Sequence, residues 1–324
     1  MKENIIRFAA AAVLLAAIQV SLLSQEKLKI VVIPKSNTAM FWKSVHAGVK
    51  LGGVALGGVD VEWRAPLKDD DIAQQISIVE QCISEGVSGI VLAPLNKDAL
   101  APPVVKAAKK KIPVLIFDSA LKGTVGKDYI SIAGIDNKKA GYIAGEQLAK
   151  FLGGKGKVVM LRVKVGQSNI MNREDGFIEA ISKYKGIKLI EKNRFVSGTE
   201  DEAMVESMKI ADKLEEADAV FCSYEQSTMG MLLALRKLNL AGKVKFVGFD
   251  APVPAVDALK KGEISALVIQ DPARMGYFSV KTIVDYIRGK KVPYKVDVDV
   301  CVINRDNVND PDIQKLLALP SMHE

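Results

Sequence analysis

Short runs of apolar, mostly β-branched residues alternate along this chain with amphipathic stretches of helical length, and few architectures accept that pattern. Runs at 28–33, 89–93, 114–117 and 219–222 carry almost no polar residue on either face. A strand that is apolar on both faces must be covered on both, which calls for a parallel sheet between layers of helix. The stretches between agree, since Ile72, Gln75, Ile76, Val79 and Ile83 recur at the three-to-four spacing of a helix stripe. We read strands at 28–33, 59–64, 89–93, 114–117 and 129–133, with helices at 41–53, 70–85 and 97–110. A second series of the same kind starts after Asp136-Asn137. It has helices at 139–152, 172–184, 201–214 and 228–238, and strands at 157–162, 187–195, 219–222 and 244–247. A strand at 266–270, a helix at 275–288 and extended segments over 292–303 close the chain. The fold class expected is α/β, with two doubly wound parallel-sheet lobes joined by hinges.

Residues 1–24 pair a short basic start (Lys2, Arg7) with an apolar run over 8–20, the pattern of a secretory signal. The run is shorter than the roughly 20 residues that span a bilayer, although Ser21-Leu22-Leu23 could extend it into a marginal anchor. We therefore expect export and a location in the periplasm or otherwise outside the cytoplasm. No small-x-small triplet precedes Gln25, so the cleavage site stays open, and no Cys is placed to make a lipoprotein. The remaining chain exceeds the size at which one core usually stops growing, which favours two domains. The division expected is a first lobe of 25–134 plus 271–291 and a second of 135–270 plus 292–324.

The net charge of +7 is spread along helices and turns, and Lys109-Lys110-Lys111 reads as a solvated helix end. No basic segment is interleaved with aromatics, which argues against nucleic acid. Cys82, Cys222 and Cys301 follow no CxxC spacing and sit in apolar surroundings, as small buried hydrophobes do. Of the two histidines, His323 is next to the end and His46 is expected to be exposed on the first helix. HExxH, GxSxG, GxGxxG and Cys/His clusters are missing, and Gly153-Gly154-Lys155-Gly156 precedes a strand as a turn. No cofactor, metal or catalytic residue is expected.

Ligands of open parallel sheets bind outside the carboxyl ends of the strands. Lys35, Phe41 and Trp42 follow the first strand, and Phe249-Asp250 stands at the end of another two hundred residues later. A cation beside two aromatic rings, opposed by an aspartate, suits a neutral polyhydroxylated ring. Plainer readings stand beside this one. Phe41 and Trp42 could be core, Asp118 and Asp250 could be caps, and Arg173 could be a surface ion-pair partner. Tyr224 could be a buried strand-end aromatic, Glu225 a carboxylate complementing a helix dipole, and Gln270 a partner of backbone groups.

The order and spacing of several further pieces carry a likeness. They are Ile33-Pro34-Lys35 with Phe41-Trp42, Gly89-Ile90-Val91-Leu92-Ala93-Pro94-Leu95, Ile116-Phe117-Asp118-Ser119 and Ile132-Ala133-Gly134-Ile135-Asp136-Asn137. Asn172-Arg173-Glu174-Asp175-Gly176-Phe177, Val247-Gly248-Phe249-Asp250 and Gln270-Asp271-Pro272 with Gly276 follow. Over nearly its whole length past residue 24 the chain resembles the bacterial periplasmic sugar-binding proteins of the ribose and allose type, receptor subunits of ABC importers. The resemblance implies the type I periplasmic binding protein fold. It implies a ligand site of Lys35, Phe41, Trp42, Asp118, Ser119, Arg173, Tyr224, Asp250 and Gln270, with Arg173 opening a helix of the second lobe. Ser119 stands where the ribose type has Arg, and Tyr224 where the family commonly has Asn. Lys35 and Ala93-Pro94-Leu95 look more allose-like.

The resemblance implies a monomeric receptor that clamps one monosaccharide or polyol and delivers it to an inner-membrane ABC permease. Sensing through a chemoreceptor or a membrane kinase would use the same receptor. Two other classes can be separated from it. A carbohydrate-active enzyme would use Asp118 and Asp250 as an acid and base pair. A sugar-sensing regulator would need an N-terminal DNA reader where this chain has its signal pattern.

Overall fold

The computed structural model of the protein describes residues 27–37, 39–67, 71–163, 167–196 and 198–318. The signal expected over 1–24 and His323 lie outside the described residues. Strands β1 (Leu28–Ile33), β2 (Val59–Trp63), β3 (Gly89–Leu92), β4 (Val114–Phe117) and β5 (Ser131–Gly134) alternate with helices α1 (Met40–Leu56), α2 (Ile72–Glu85) and α3 (Ala101–Lys109). The second series begins with α4 (Asn137–Phe151), β6 (Lys155–Val163), α5 (Ser168–Ser182) and β7 (Gly186–Val196). It continues with α6 (Glu200–Met208), α7 (Ala211–Glu216), β8 (Ala219–Cys222), α8 (Glu225–Lys237), β9 (Lys245–Phe249), α9 (Val253–Lys261) and β10 (Ala266–Gln270). The last elements are α10 (Pro272–Ile287), β11 (Lys295–Asp297), β12 (Val300–Ile303) and α11 (Pro311–Leu317).

These strands form two six-stranded sheets with the same winding, β2-β1-β3-β4-β5-β11 and β7-β6-β8-β9-β10-β12. Every pairing is parallel except β12 against β10. Central strands are sealed on both faces: Ile30 to Ile33 and all of β3, β4 and β8 are buried. The edge strands β2 and β7 are half-exposed and carry charges such as Asp60, Glu62, Lys188 and Glu191, which discourages edge-to-edge pairing. The chain crosses between sheets after β5, after β10 and between β11 and β12. This last crossing differs from the expected division, which put everything after residue 291 in the second lobe. Lys295 to Asp297 pair in parallel with Ile132 to Gly134, so β11 extends the first sheet.

In each lobe two helices touch backbone to backbone at glycine. A Cβ on Gly141 of α4 would lie 1.8 Å from the Arg173 carbonyl oxygen of α5, and one on Gly48 of α1 would lie 1.8 Å from the Ala273 oxygen of α10. These contacts fix the two helices whose N-terminal turns face the cleft between the lobes.

Several local expectations are corrected. The helix expected over 201–214 is broken at Lys209-Ile210, where Ile210 turns its side chain into the core, 3% exposed. The helices α9 and α11 were not anticipated, although a proline in the first turn marks the start of each. Helix α5 starts at Ser168, which places Arg173 in its second turn and not at its opening. His46 is half-buried and stacks on Trp63 at 4.4 Å between ring centroids. All three cysteines are free, Cys82 and Cys222 buried and Cys301 half-buried. No helix among the described residues is long and apolar enough to cross a membrane.

Candidate functional site

The carboxyl ends of the two sheets face each other, and the residues at or just past the ends of β1, β4, β8, β9 and β10 line one cavity with the N-terminal turns of α1 and α5. Asp118 after β4 and Asp250 after β9 occupy equivalent places in the two sheets. Both adopt the left-handed conformation, with φ of 61° and 63°. Aspartate is among the few residues that enter that region readily, at a cost of about 1–2 kcal/mol. The bend turns each carboxylate off its strand axis while its amide still donates to the neighbouring strand, to Ala133 and Val268 respectively.

On the first lobe Lys35, 5% exposed, donates from Nζ to Asp118 Oδ2 at 2.9 Å and to Asn169 Oδ1 of α5 at 3.1 Å. Asn169 Nδ2 donates in turn to Asp118 Oδ2 at 3.0 Å, so this triad spans the cleft. The first-lobe loops are held from behind by buried Gln75, which donates to the Pro34 and Ala93 carbonyls and accepts from the Leu95 amide. Trp42 is buried edge-on against Phe117, with centroids 6.0 Å apart, and Phe41 stands perpendicular to it at 4.9 Å.

On the second lobe Arg173 lies 4.5 Å over the Phe249 ring and donates to Asn137 Oδ1 at 2.9 Å and to the Ser223 carbonyl at 3.0 Å. Its Nη1 is 3.8 Å from Asp250 Oδ2, which also accepts from the Glu225 amide at 3.2 Å. Gln270 Nε2 donates to Asp250 Oδ1 at 2.9 Å. The other side-chain atom of Gln270, Oε1, is buried with no hydrogen-bond partner among the described residues. Such an atom asks for a donor from a ligand. Burial pushes the Asp250 carboxyl above the ordinary aspartate range, and the Arg173 guanidinium and Gln270 amide only partly oppose this. Behind Arg173, burial likewise raises the Glu174 carboxyl, although Arg162 pairs with it at 2.7 Å and the Val163 amide donates to it.

Eight of the nine residues expected from the sequence converge on this cavity. Ser119 does not. Its hydroxyl donates to Asp118 Oδ2 at 3.0 Å from a position outside the cavity wall, so it orients the carboxylate. Asn169 and Glu225 also line the cavity and were not among the expected site residues. Asn169 was recoverable: with a helix starting at Ser168, Asn169 and Arg173 are four apart and share a face.

The cavity measures about 60 Å³. At about 10–15 Å³ per water this is the room of roughly four to six waters, which excludes a ligand of two rings. A larger cleft of about 560 Å³, walled mainly by α1, α10, α11 and the β9 to α9 turn, adjoins it across Phe41, Glu225, Asp250 and Gln270. The charged and amide groups from both lobes converge in the smaller space, which is therefore the candidate site.

A family model described as a periplasmic binding protein domain matches residues 30–291. The ribose import binding protein of Haemophilus influenzae is 30% identical over 72% of this chain and 78% of its own length. The D-allose-binding periplasmic protein of Escherichia coli is 26% identical over 81% and 85%. The crystal structure of a carbohydrate transporter solute-binding protein from Agrobacterium radiobacter, in complex with D-arabinose, superposes with a TM-score of 0.86 at 30% identity, covering 91% of this chain and 100% of that one. Lobes, winding and cleft thus agree with the match, and the chain belongs to the periplasmic binding protein domain family.

Proposed function

We propose that the protein is the solute receptor of an ABC importer, closing its two lobes over one monosaccharide or sugar alcohol and presenting it unchanged to a membrane permease. The observation that carries this reading is a small cavity walled by both lobes, with perpendicular aromatic rings on one and two carboxylates that each face a cation. A sugar has apolar faces that stack and hydroxyls that both donate and accept. Asp118, Asp250 and Gln270 Oε1 take hydroxyl protons, while Lys35 and Arg173 serve the oxygen lone pairs. Lys35 faces Asp118, Arg173 faces Asp250, and the third carboxylate, Glu225, is taken up by the Met40 and Phe41 amides, so the lining favours a neutral ligand. Each carboxylate already receives fixed donors, which suits holding a hydroxyl better than passing protons. Relatives that bind ribose and allose, and a neighbour holding D-arabinose, support a pentose or hexose.

Closure is a population shift, because a ligand touched by both lobes only in the closed form stabilises that form. The crossings at 134–137, 270–272 and 297–300 serve as the hinges, and the receptor acts as a monomer outside the cytoplasm. The test is a thermal-shift panel of pentoses, hexoses, deoxy sugars and polyols on residues 25–324. Ligand at about a thousand times its dissociation constant adds roughly 4 kcal/mol, which raises the melting temperature by several degrees. A small set of responding sugars, each recovered unchanged, is the expected result. A flat panel with a protein shown to be free of ligand would refute the reading. Coupling to a chemoreceptor or sensor kinase is separated from transport by sugar uptake in cells lacking the receptor.

A further inference from the structure

Among the described residues, helix α1 reaches the cleft without a cap of its own. Its N-cap residue, Ala39, makes no side-chain hydrogen bond, and no acidic residue lies in its first turn. The Trp42 and Lys43 amides turn back to the Ala39 carbonyl, which leaves those of Met40 and Phe41 to find other acceptors. The acceptor comes from the other lobe: Glu225, first residue of α8, takes the Met40 amide on Oε1 at 3.1 Å and the Phe41 amide on Oε2 at 3.2 Å. Two helix N-termini, each with a partial positive charge, thus face each other across the cleft with one carboxylate between them. The Glu225 amide is itself fixed by Asp250, whose other oxygen holds Gln270.

We propose that Glu225 is an interlobe latch, a positioning residue that lends α1 its missing cap only when the lobes are closed and so sets how tightly the receptor holds whatever sugar it encloses. The proposal rests on the receptor reading above. In the open form the Met40 and Phe41 amides and the Glu225 carboxylate return to water, so the latch adds to closure without discriminating among hydroxyl patterns. It also ties closure to the ligand groups, because Asp250 positions the backbone from which Glu225 reaches across.

The test uses Glu225→Ala and Glu225→Gln in the protein of residues 25–324, with calorimetry and stopped-flow against every responding sugar of the panel, D-ribose and D-allose included. Glu225→Ala should weaken all of them by a similar factor of about ten, equivalent to about 1.4 kcal/mol, through faster release and not slower association. Glu225→Gln keeps one acceptor oxygen and no charge, and should fall between. Amide exchange at Met40 and Phe41 in the sugar-loaded protein should speed up in both variants, while the melting temperature of the ligand-free protein stays put. Unchanged release rates and exchange would overturn the proposal. So would a change in the rank order of sugars with unchanged exchange, which would make Glu225 a direct hydroxyl contact. If the wild type binds no sugar, the receptor reading fails by itself. The latch is then judged on the ligand-free protein, where small-angle scattering should show a larger mean radius of gyration in Glu225→Ala.

Discussion

Asp250→Asn separates what holds the fold from what holds the ligand. Asparagine tolerates the left-handed conformation recorded at φ 63°, so the backbone bend survives the change. The amide oxygen can still accept from Gln270 Nε2, while the charge facing Arg173 at 3.8 Å is lost. Breaking a buried ion pair ordinarily costs about 3–5 kcal/mol because it strands a charge. Here Arg173 keeps Asn137, the Ser223 carbonyl and the Phe249 ring. The raised Asp250 carboxyl, moreover, means that burial already outweighs the pull of Arg173. Stability should therefore change by less than about 2 kcal/mol, below the usual cost of a broken buried pair. Binding should suffer more, since a charge-assisted acceptor for a hydroxyl contributes about 1.5–3 kcal/mol, or about 10- to 150-fold in affinity. Acid provides a second signature. Between the ordinary aspartate value and the raised one, the folded protein holds a proton that the unfolded chain has released. Stability from this group therefore rises as pH falls through the raised pKa and levels off at the ordinary value. Sugar affinity moves the other way, falling as the carboxylate is protonated. Calorimetric titration from neutral pH down to the ordinary aspartate value should show affinity falling in the wild type and not in Asp250→Asn, and parallel melting curves should show the wild type gaining stability on the variant, in which Glu174 still titrates. A variant with wild-type affinity at neutral pH, or one that keeps the acid-dependent loss of affinity, would refute the reasoning.

Gly141→Ala should destabilise the second lobe by about 1–3 kcal/mol, because the new methyl meets the Arg173 carbonyl at 1.8 Å and α5 must move. Urea unfolding reads the loss, and since α5 carries Arg173 and Asn169, sugar affinity should fall with it; wild-type values in both would contradict the close contact of the two helices. Thiol titration should find Cys82 and Cys222 inert in the native protein, since both are buried and burial pushes the Cys82 thiol up to about 11. All three cysteines should react on unfolding, and rapid native reaction of Cys82 would contradict its burial.

Sequence pattern was a sound guide wherever hydrophobicity decides the outcome. The buried strands are continuous apolar runs because both faces are covered, and the carboxylates past β4 and β9 could be placed from the strand ends alone. What stayed hidden depends on direction and on distant partners. Ser119 adjoins Asp118 in the chain, yet points to the back of that carboxylate. Glu225 reads as an ordinary helix-start acid until α1 of the other lobe is found within reach. The end of the first sheet was misassigned because a three-residue strand such as β11 has too few positions to show an alternation.

The late return of the chain to its first sheet bears on the order in which the molecule can be built. All but the edge strand of the second sheet comes from 155–270, whereas the first sheet needs β11, and α1 needs α10 to cover Gly48, Val45 and their neighbours. As the chain emerges from its N-terminus, the first half waits, incomplete, for partners about 160 to 230 residues downstream. Bringing such distant segments together is the slow, entropically costly part of folding. The second lobe can therefore consolidate first and the N-terminal lobe last, opposite to the order of synthesis. A fragment ending at residue 270 would leave the inner face of α1 bare and prone to aggregation.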